Sequence, residues 1–309
     1  MSEVCCILCG SNAQAPIVEE RGYQAVRCLQ CGLVFVESPP SQEELRALYE
    51  SDKAASLEVD GQMQLQEKKL LAAAADLNRI QKYVQHGRLF EVGCGAGYFL
   101  WVARQRGFVV RGLELNGRLV QYGRQRLDLD IAQGSLSETR LPSGSFDVIY
   151  MRNVLSHLLD PVRDFEIIRN LLADTGYLFF ETGNGAELSQ RTLELMKRRN
   201  QLGIPDHLFF FSRENVKQLV EQTGLEIVSC TVYSMALHDW ITQRFERKIR
   251  RTLAASGAQS GRSRWKEKIV AAASYFLTYS IGRYLPRSGR HCTIRYVCRK
   301  QALSVTGNP

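Results

Sequence analysis

The 309 residues are 45% hydrophobic, 9% aromatic and 23% charged, the balance of a globular chain able to bury a sizeable core, which excludes disorder and collagen-like repeats. The longest uncharged apolar run, Ile269 to Gly282, has 14 residues, short of the roughly 20 that a membrane-spanning helix needs. The net charge of +8 is uneven: residues 236–309 hold 15 Lys and Arg against Asp239, Glu246 and Glu267, a local +12, and the preceding residues stand at −4. The opening MSEVCC has no basic flank followed by an apolar stretch, so no secretory signal is read and a cytoplasmic protein with reduced cysteines is expected.

Residues 1–40 form a small cysteine-punctuated module with β-like runs at Tyr23 to Val26 and Leu33 to Val36, closing on Pro39-Pro40. Cys6-Ile-Leu-Cys9-Gly and Cys28-Leu-Gln-Cys31-Gly are separated by 18 residues. Each is a tight turn presenting two thiolates, and two such knuckles complete a tetrahedral, closed and therefore structural Zn²⁺ site. Cys5 in place of Cys6 is an alternative ligand with wider spacing. The module carries Arg21 and Arg27 against Glu3, Glu19, Glu20 and Glu37, a poor clamp for phosphate, so nucleic acid is not the expected partner.

Residues 41–87 read as a helical connector. Ser41 and Glu44 make a capping box, and a longer helix is predicted from Gln62 to Gln85, with Leu70, Ala73, Leu77, Ile80 and Val84 on one face. From Leu89 the pattern becomes strand, glycine turn, helix, strand, and the rhythm repeats through 88–235. Predicted helix starts include Asp160-Pro161, with Pro at the first helical position, and the cap Ser212. Strands are predicted at Phe146–Tyr150, Tyr177–Thr182, Glu226–Val232 and Cys292–Arg299, the last inside a terminal segment 291–309. Alternating strands and helices imply an α/β protein with a mostly parallel sheet covered on both faces.

The loop Glu91-Val-Gly93-Cys-Gly95-Ala-Gly97 follows a strand and opens a helix. Its glycines let backbone N–H groups approach a ligand, and the helix N-terminus favours negative charge. A dinucleotide fingerprint needs its third glycine where this chain has Tyr98. The next strand ends in Glu114, whose carboxylate can accept both hydroxyls of a ribose, so a nucleoside without pyrophosphate is favoured. Cys94 reads as a small filler between glycines.

With these features the segment Leu89 to Val232 resembles the class I S-adenosylmethionine-dependent methyltransferases. The resemblance rests on LFEVGCGAG, Glu114, Gly134-Ser135-Leu136, FDVIYMRNVLSHLLDP, ETGN at 181–184 and DHLFFFS at 206–212. It implies a Rossmann-like, doubly wound, seven-stranded sheet. It also implies S-adenosyl-L-methionine bound by Glu91, Gly93, Gly95, Gly97, Glu114, Gly134, Ser135 and Leu136, although Ser135 stands where the family usually has an acid. The order of zinc ribbon, Pro-Pro-Ser, helix and methyltransferase core resembles glycan and natural-product methyltransferases, and the implied reaction is O-methylation of a sugar or related small-molecule hydroxyl.

A hydroxyl acceptor needs a base. His157 follows the fourth strand at the carboxyl edge of the sheet, where open α/β folds place ligands, and an imidazole titrates in the right range. His207 is the second candidate, and its adjacency to Asp206 does not by itself make a dyad. Asn184 and Tyr98 are candidate pocket residues, whereas His86, His238 and His291 receive no role.

Residues 236–290 form a basic insertion. Trp240, Ile241, Phe245, Ile249 and Leu253 make an apolar stripe among Arg244, Arg247, Lys248, Arg250 and Arg251, and a second helix is predicted from Trp265 through Tyr279. Three readings stay open: a helical lid with a solvated face, a peripheral surface on an anionic membrane that suits a lipid-linked glycan acceptor, and an RNA-binding arm. The alternatives to a small-molecule enzyme are an RNA methyltransferase and a non-catalytic cofactor-binding scaffold.

Overall fold

Successive residues of a strand face opposite sides of its sheet, so continuous apolar runs mark strands covered on both faces. A computed structural model of the chain describes residues 4–51, 67–183, 185, 202–234 and 292–302. The helices expected within 236–290, the first residues of the long connector helix, Asn184, His238 and His291 lie outside these residues.

The central strands are β4 (Gly87–Val92), β5 (Phe108–Glu114), β6 (Ile131–Gln133), β7 (Phe146–Arg152), β8 (Leu172–Gly183), β10 (Leu225–Ser234) and β11 (Cys292–Lys300). They form one seven-stranded sheet in the order β10-β11-β8-β7-β4-β5-β6. The five strands from β8 to β6 run parallel, and β11 is antiparallel to both its neighbours. This is the doubly wound, Rossmann-like sheet that the sequence implied.

Alternation along the strands separates two cores. Leu89, Val148, Tyr150 and Phe179 pack on one face with α2 (Glu67–Ile80) and α3 (Tyr98–Gln105). Phe90, Ile149, Met151, Leu178 and Phe180 pack on the other with α5 (Pro161–Leu171) and α6 (Arg213–Gln222). Helix α4 (Gly117–Leu127) follows β5 and is capped by Asn116, whose side chain accepts from the N–H groups of Arg118 and Leu119. The predicted caps are present: Asp160 accepts from Arg163 N–H ahead of Pro161, and Ser212 forms a capping box with Asn215. Helix α2 ends at Ile80, five residues short of the predicted Gln85. Beyond it the chain turns, and Tyr83 packs its ring 5.3 Å from Tyr177 and 5.6 Å from Phe179.

The cysteine module supplies β1 (Gln14–Glu20), β2 (Tyr23–Cys28) and β3 (Val34–Val36). Strand β1 was not legible in the sequence, because Pro16 and two glutamates argue against a strand. It survives as an edge strand, the place where Pro is tolerated, with a bulge between Pro16 and Val18. The sheet of this module has a fourth strand, β9 (Phe209–Phe210), contributed by the α/β core. The apolar interior is also continuous, with Leu8, Val18, Val26 and Val34 in one cluster with Phe165 and Val216. Helix α1 (Gln42–Ser51) then runs to the β6 side, where Gln42 Nε2 donates to Ser135 Oγ at 3.0 Å.

One buried carboxyl on α5 gives a pH signature. Burial pushes Asp164 up to about 7, with Asp160 adding to the shift and Arg163 opposing it. The folded chain therefore holds this proton more tightly than the unfolded chain, and stability falls as pH rises from about 4 to about 7 and then levels off. Asp164→Asn is expected to stabilise the protein at pH 8 by on the order of 3 kcal/mol, with the gain shrinking on acidification and absent below about pH 4, as measured by urea unfolding across pH.

Candidate functional site

At the end of β4 the chain reverses through Gly93 (φ 68°), Gly95 (φ 54°) and Gly97 (φ 83°), and Gly97 is the N-cap of α3. At Gly93 an added Cβ would lie 2.5 Å from Val154 Cγ2, and at Gly97 2.5 Å from Leu129 Cδ1. Backbone conformation and space both require glycine at these two positions. The loop is fastened by Gly93 N–H and Cys94 N–H, which donate to Leu113 O at 2.8 and 3.1 Å. Cys94 is buried, and burial pushes its thiol well above the usual range, which suits a filler and not a nucleophile.

Glu114, at the end of β5, accepts from Gly95 N–H at 2.8 Å through Oε2 and from Asn116 N–H at 3.0 Å through Oε1. Burial raises its carboxyl, while these N–H groups and the nearby His157 pull it down. Glu91 is 5% exposed, and its Oε2 has no hydrogen-bond partner among the described residues. Burial first, and then the charges of Glu114 and Asp76, push the Glu91 carboxyl well upward. Glu91 thus stands beside the glycine loop and the N-terminus of α3 as a buried carboxyl with an oxygen able to accept from a ligand's donor.

After β6, Gly134 N–H donates to Glu114 O at 3.0 Å, which brings the 134–136 loop to the same edge. Ser135 is occupied locally: its N–H donates to Glu138 Oε2 at 2.7 Å, and its hydroxyl lies 3.0 Å from the same oxygen. Leu136 is buried. Tyr98 points into the packing between α3 and α4, with its hydroxyl 3.0 Å from that of Tyr122.

A short 3₁₀ turn, Leu155–His157, follows β7. His157 Nδ1 lies 2.9 Å from the Asp206 carbonyl oxygen and 3.2 Å from Asp206 Oδ1. His207 packs against it with ring centroids 4.4 Å apart and planes tilted by 47°, and its own Nδ1 is 4.0 Å from Asp206 Oδ2, too far for a hydrogen bond. Asp206 thus partners the sequence-distant histidine and not the adjacent one. Burial, and then His157, lower the basicity of His207. The three side chains also have ligand-type atoms within 4.8 Å of one another, and with Nδ1 hydrogen-bonded to the Asp206 carbonyl any further ligand would meet His157 at Nε2.

The four predicted cysteines converge in a separate cluster, with all four sulfurs within 4.8 Å of one another. Cys6 Sγ is 3.6 Å from Cys31 Sγ, and Cys9 Sγ is 3.4 Å from Cys28 Sγ. Four sulfurs at about 2.3 Å from one tetrahedral ion stand roughly 3.8 Å apart, so the set has the size of a zinc site. Gly10 N–H and Gly32 N–H donate back to Cys6 O and Cys28 O at 2.8 and 3.0 Å, making two matching knuckles. Cys5 is exposed and outside the cluster.

A further polar cluster had no signal in the sequence because its members are far apart there. Asp76 on α2 accepts from Tyr150 Oη at 2.7 Å, pairs with Arg79, and lies 3.5 Å from both Arg152 and Arg295. Glu181 on β8 bonds to Arg295 across the β8–β11 pair and lies 3.6 Å from Arg152.

The family model of the methyltransferase domain matches residues 62–230. This chain is an S-adenosylmethionine-dependent methyltransferase of that family. Among curated relatives, the ubiquinone biosynthesis O-methyltransferase of Histophilus somni is 31% identical over 107 residues, covering 31% of this chain and 45% of the relative. The enzyme of the same description from Vibrio campbellii is 24% identical over 154 residues, covering 47% of this chain and 66% of the relative. The methyltransferase therefore matches about half to two thirds of these relatives' length. A geranyl diphosphate methyltransferase solved with S-adenosylmethionine superposes with a TM-score of 0.52 at 13% identity, over 81% of this chain and 92% of that one. Phosphoethanolamine N-methyltransferase 2 of Haemonchus contortus, also solved with S-adenosylmethionine, gives 0.51 at 15% identity over 87% and 62%. These likenesses show the fold. Among the described residues no helix is long and apolar enough to cross a membrane.

Because Glu114 shapes the glycine loop as well as facing the ligand edge, Glu114→Ala is expected to weaken S-adenosylhomocysteine binding roughly 10- to 100-fold in titration calorimetry, the loss of one or two charge-assisted hydrogen bonds.

Proposed function

We propose that this methyltransferase O-methylates a small molecule, a sugar or related hydroxyl acceptor of surface-glycan or natural-product assembly, with His157 as the base. The observation that carries the reading is the hydrogen bond between His157 Nδ1 and the Asp206 carbonyl. A carbonyl only accepts, so Nδ1 carries the hydrogen, and in the neutral form of this imidazole the lone pair is therefore on Nε2. The curated relatives are O-methyltransferases by description, which supports an oxygen acceptor. The order of ribbon, connector and core supports a glycan-like one by resemblance.

The residues at the carboxyl edge suit the cofactor. Glu91 Oε2 is a buried acceptor in need of a donor, as the ammonium of a methionine moiety would be. Glu114 retains lone pairs for ribose hydroxyls, and Gly93, Gly95, Gly97, Gly134, Ser135 and Leu136 complete the cradle. Bound S-adenosylmethionine supplies an electrophilic methyl on a sulfonium. His157 Nε2 would take the acceptor hydroxyl proton as the oxygen–methyl bond replaces the sulfur–methyl bond, the cofactor leaving as a neutral thioether, while the Nδ1–H bond to Asp206 O would steady the imidazolium. His207 packs beside this base, its own basicity lowered by burial and by His157. The four cysteines are assigned to a structural Zn²⁺, since four thiolates leave no open position.

Purified protein is expected to carry one equivalent of zinc, and metal analysis of folded, zinc-free protein would remove the ribbon assignment. His157→Gln is expected to lower turnover by about 10²- to 10⁴-fold with unchanged affinity for S-adenosylhomocysteine. The acceptor class is read by incubating methyl-labelled cofactor with cell extract separated into aqueous, organic-soluble and RNA fractions. Label in the aqueous or organic pool is expected, and label confined to RNA would overturn the small-molecule reading.

A further inference from the structure

The cysteine ribbon and the paired histidines share one stretch of backbone. Strand β9 begins two residues after His207 and closes the ribbon sheet, pairing Phe209 with Phe35 and Phe210 with Val34. Immediately before it, Leu208 O accepts from Val36 N–H at 2.9 Å, while Leu208 N–H donates to Ser156 O at 2.7 Å. Asp206 O accepts from His157. The segment Asp206–Leu208 is thus strung between β3 on one side and the 3₁₀ turn carrying His157 on the other.

The knuckles themselves are tied to the core close to the cysteines. Asn215 Nδ2 donates to Cys31 O at 2.8 Å, and Gln218 Nε2 donates to Leu8 O at 3.1 Å, both from α6. Glu20 Oε2 accepts from Leu202 N–H at 3.2 Å. Val34 lies three residues beyond Cys31, so the position of β3 is set by the second knuckle. A module of about 40 residues holds little core of its own, and an ion across four thiolates contributes to its folding directly. The glycine loop, in contrast, is fastened by Leu113 O and Glu114 from β5, on the far side of β4 from β7.

We propose that the four-cysteine ribbon is the positioning element of the acceptor side: with its metal bound, β3 holds Asp206–Leu208 in the register that orients the His157 imidazole, without contributing to cofactor binding. The inference rests on the reading of His157 as the base. Asp206 and Val36 act through His157 and are positioning residues, one through its carbonyl and the other through its N–H.

The test compares the full-length protein before and after chelation of its zinc, using hydrogen exchange resolved by peptide, ¹⁵N NMR of the histidine side chains and calorimetry with S-adenosylhomocysteine. On metal removal, exchange across 204–211 is expected to accelerate at least about tenfold while 89–97 stays within about twofold. The His157 signal is expected to pass from one Nδ1–H tautomer to a mixture. Affinity for S-adenosylhomocysteine is expected to stay within about threefold, and added zinc restores the starting state. Protection of 204–211 with an unmoved His157 signal after the metal has left would overturn the proposal. So would loss of protection in 204–211 and 89–97 together, since that would make the ribbon a general stabiliser. The two readings fail separately: unchanged turnover in His157→Gln ends the base assignment, whereas the exchange coupling stands or falls independently of any acceptor.

Discussion

Five parallel strands that carry apolar side chains on both faces fold only if both faces are covered, and the rest of this molecule follows from that requirement. Parallel neighbours need crossover connections, which supply the helices that do the covering. These strands all end on the same edge, so Glu91 and Glu114 at strand ends and Gly134 and His157 just beyond them meet there although they span 67 residues of sequence. Fully buried Leu89, Val148, Ile149 and Met151 anchor this edge, and Glu114 braces the glycine loop by accepting from Gly95 N–H.

The same burial makes charges expensive, and the fold answers by clustering them. Asp76, Glu181 and Arg295 are nearly inaccessible, and each faces opposite charge. Removing one member would leave its partners buried and unpaired, which costs more than the pairs themselves contribute. Glu91 differs in having a carboxylate oxygen with no hydrogen-bond partner among the described residues, the feature on which its proposed role toward a ligand rests.

Much of this could be read directly from the sequence, and the reason is locality. The cysteine knuckles, the glycine loop, and the caps at Asp160 and Ser212 are each written in fewer than eight consecutive residues, and each took the predicted form. Glu114 was found because the strand between it and the loop has a predictable length. What escaped depends on distant pairing. Phe209 and Phe210 stood in the sequence only as part of the DHLFFFS segment, and their hydrogen-bond partners lie in the ribbon. Asp206 has a histidine on its C-terminal side and bonds to another 49 residues earlier, which no spacing rule anticipates. The Asp76 cluster draws on α2, β7, β8 and β11, elements that are brought together only by the fold.

The register of β10 against β11 has a consequence for the basic segment. Ser234 and Cys292 are direct partners in the ladder, so the chain leaves the sheet and returns to it at adjacent points. The sheet fixes the two ends of residues 235–291 and is indifferent to how much chain lies between them. Closing a loop costs free energy that grows only with the logarithm of its length, about 0.6 kcal/mol per doubling. A segment in this position can lengthen, shorten or be exchanged over evolutionary time at little expense to the fold, which leaves the catalytic core free to be combined with different appendages.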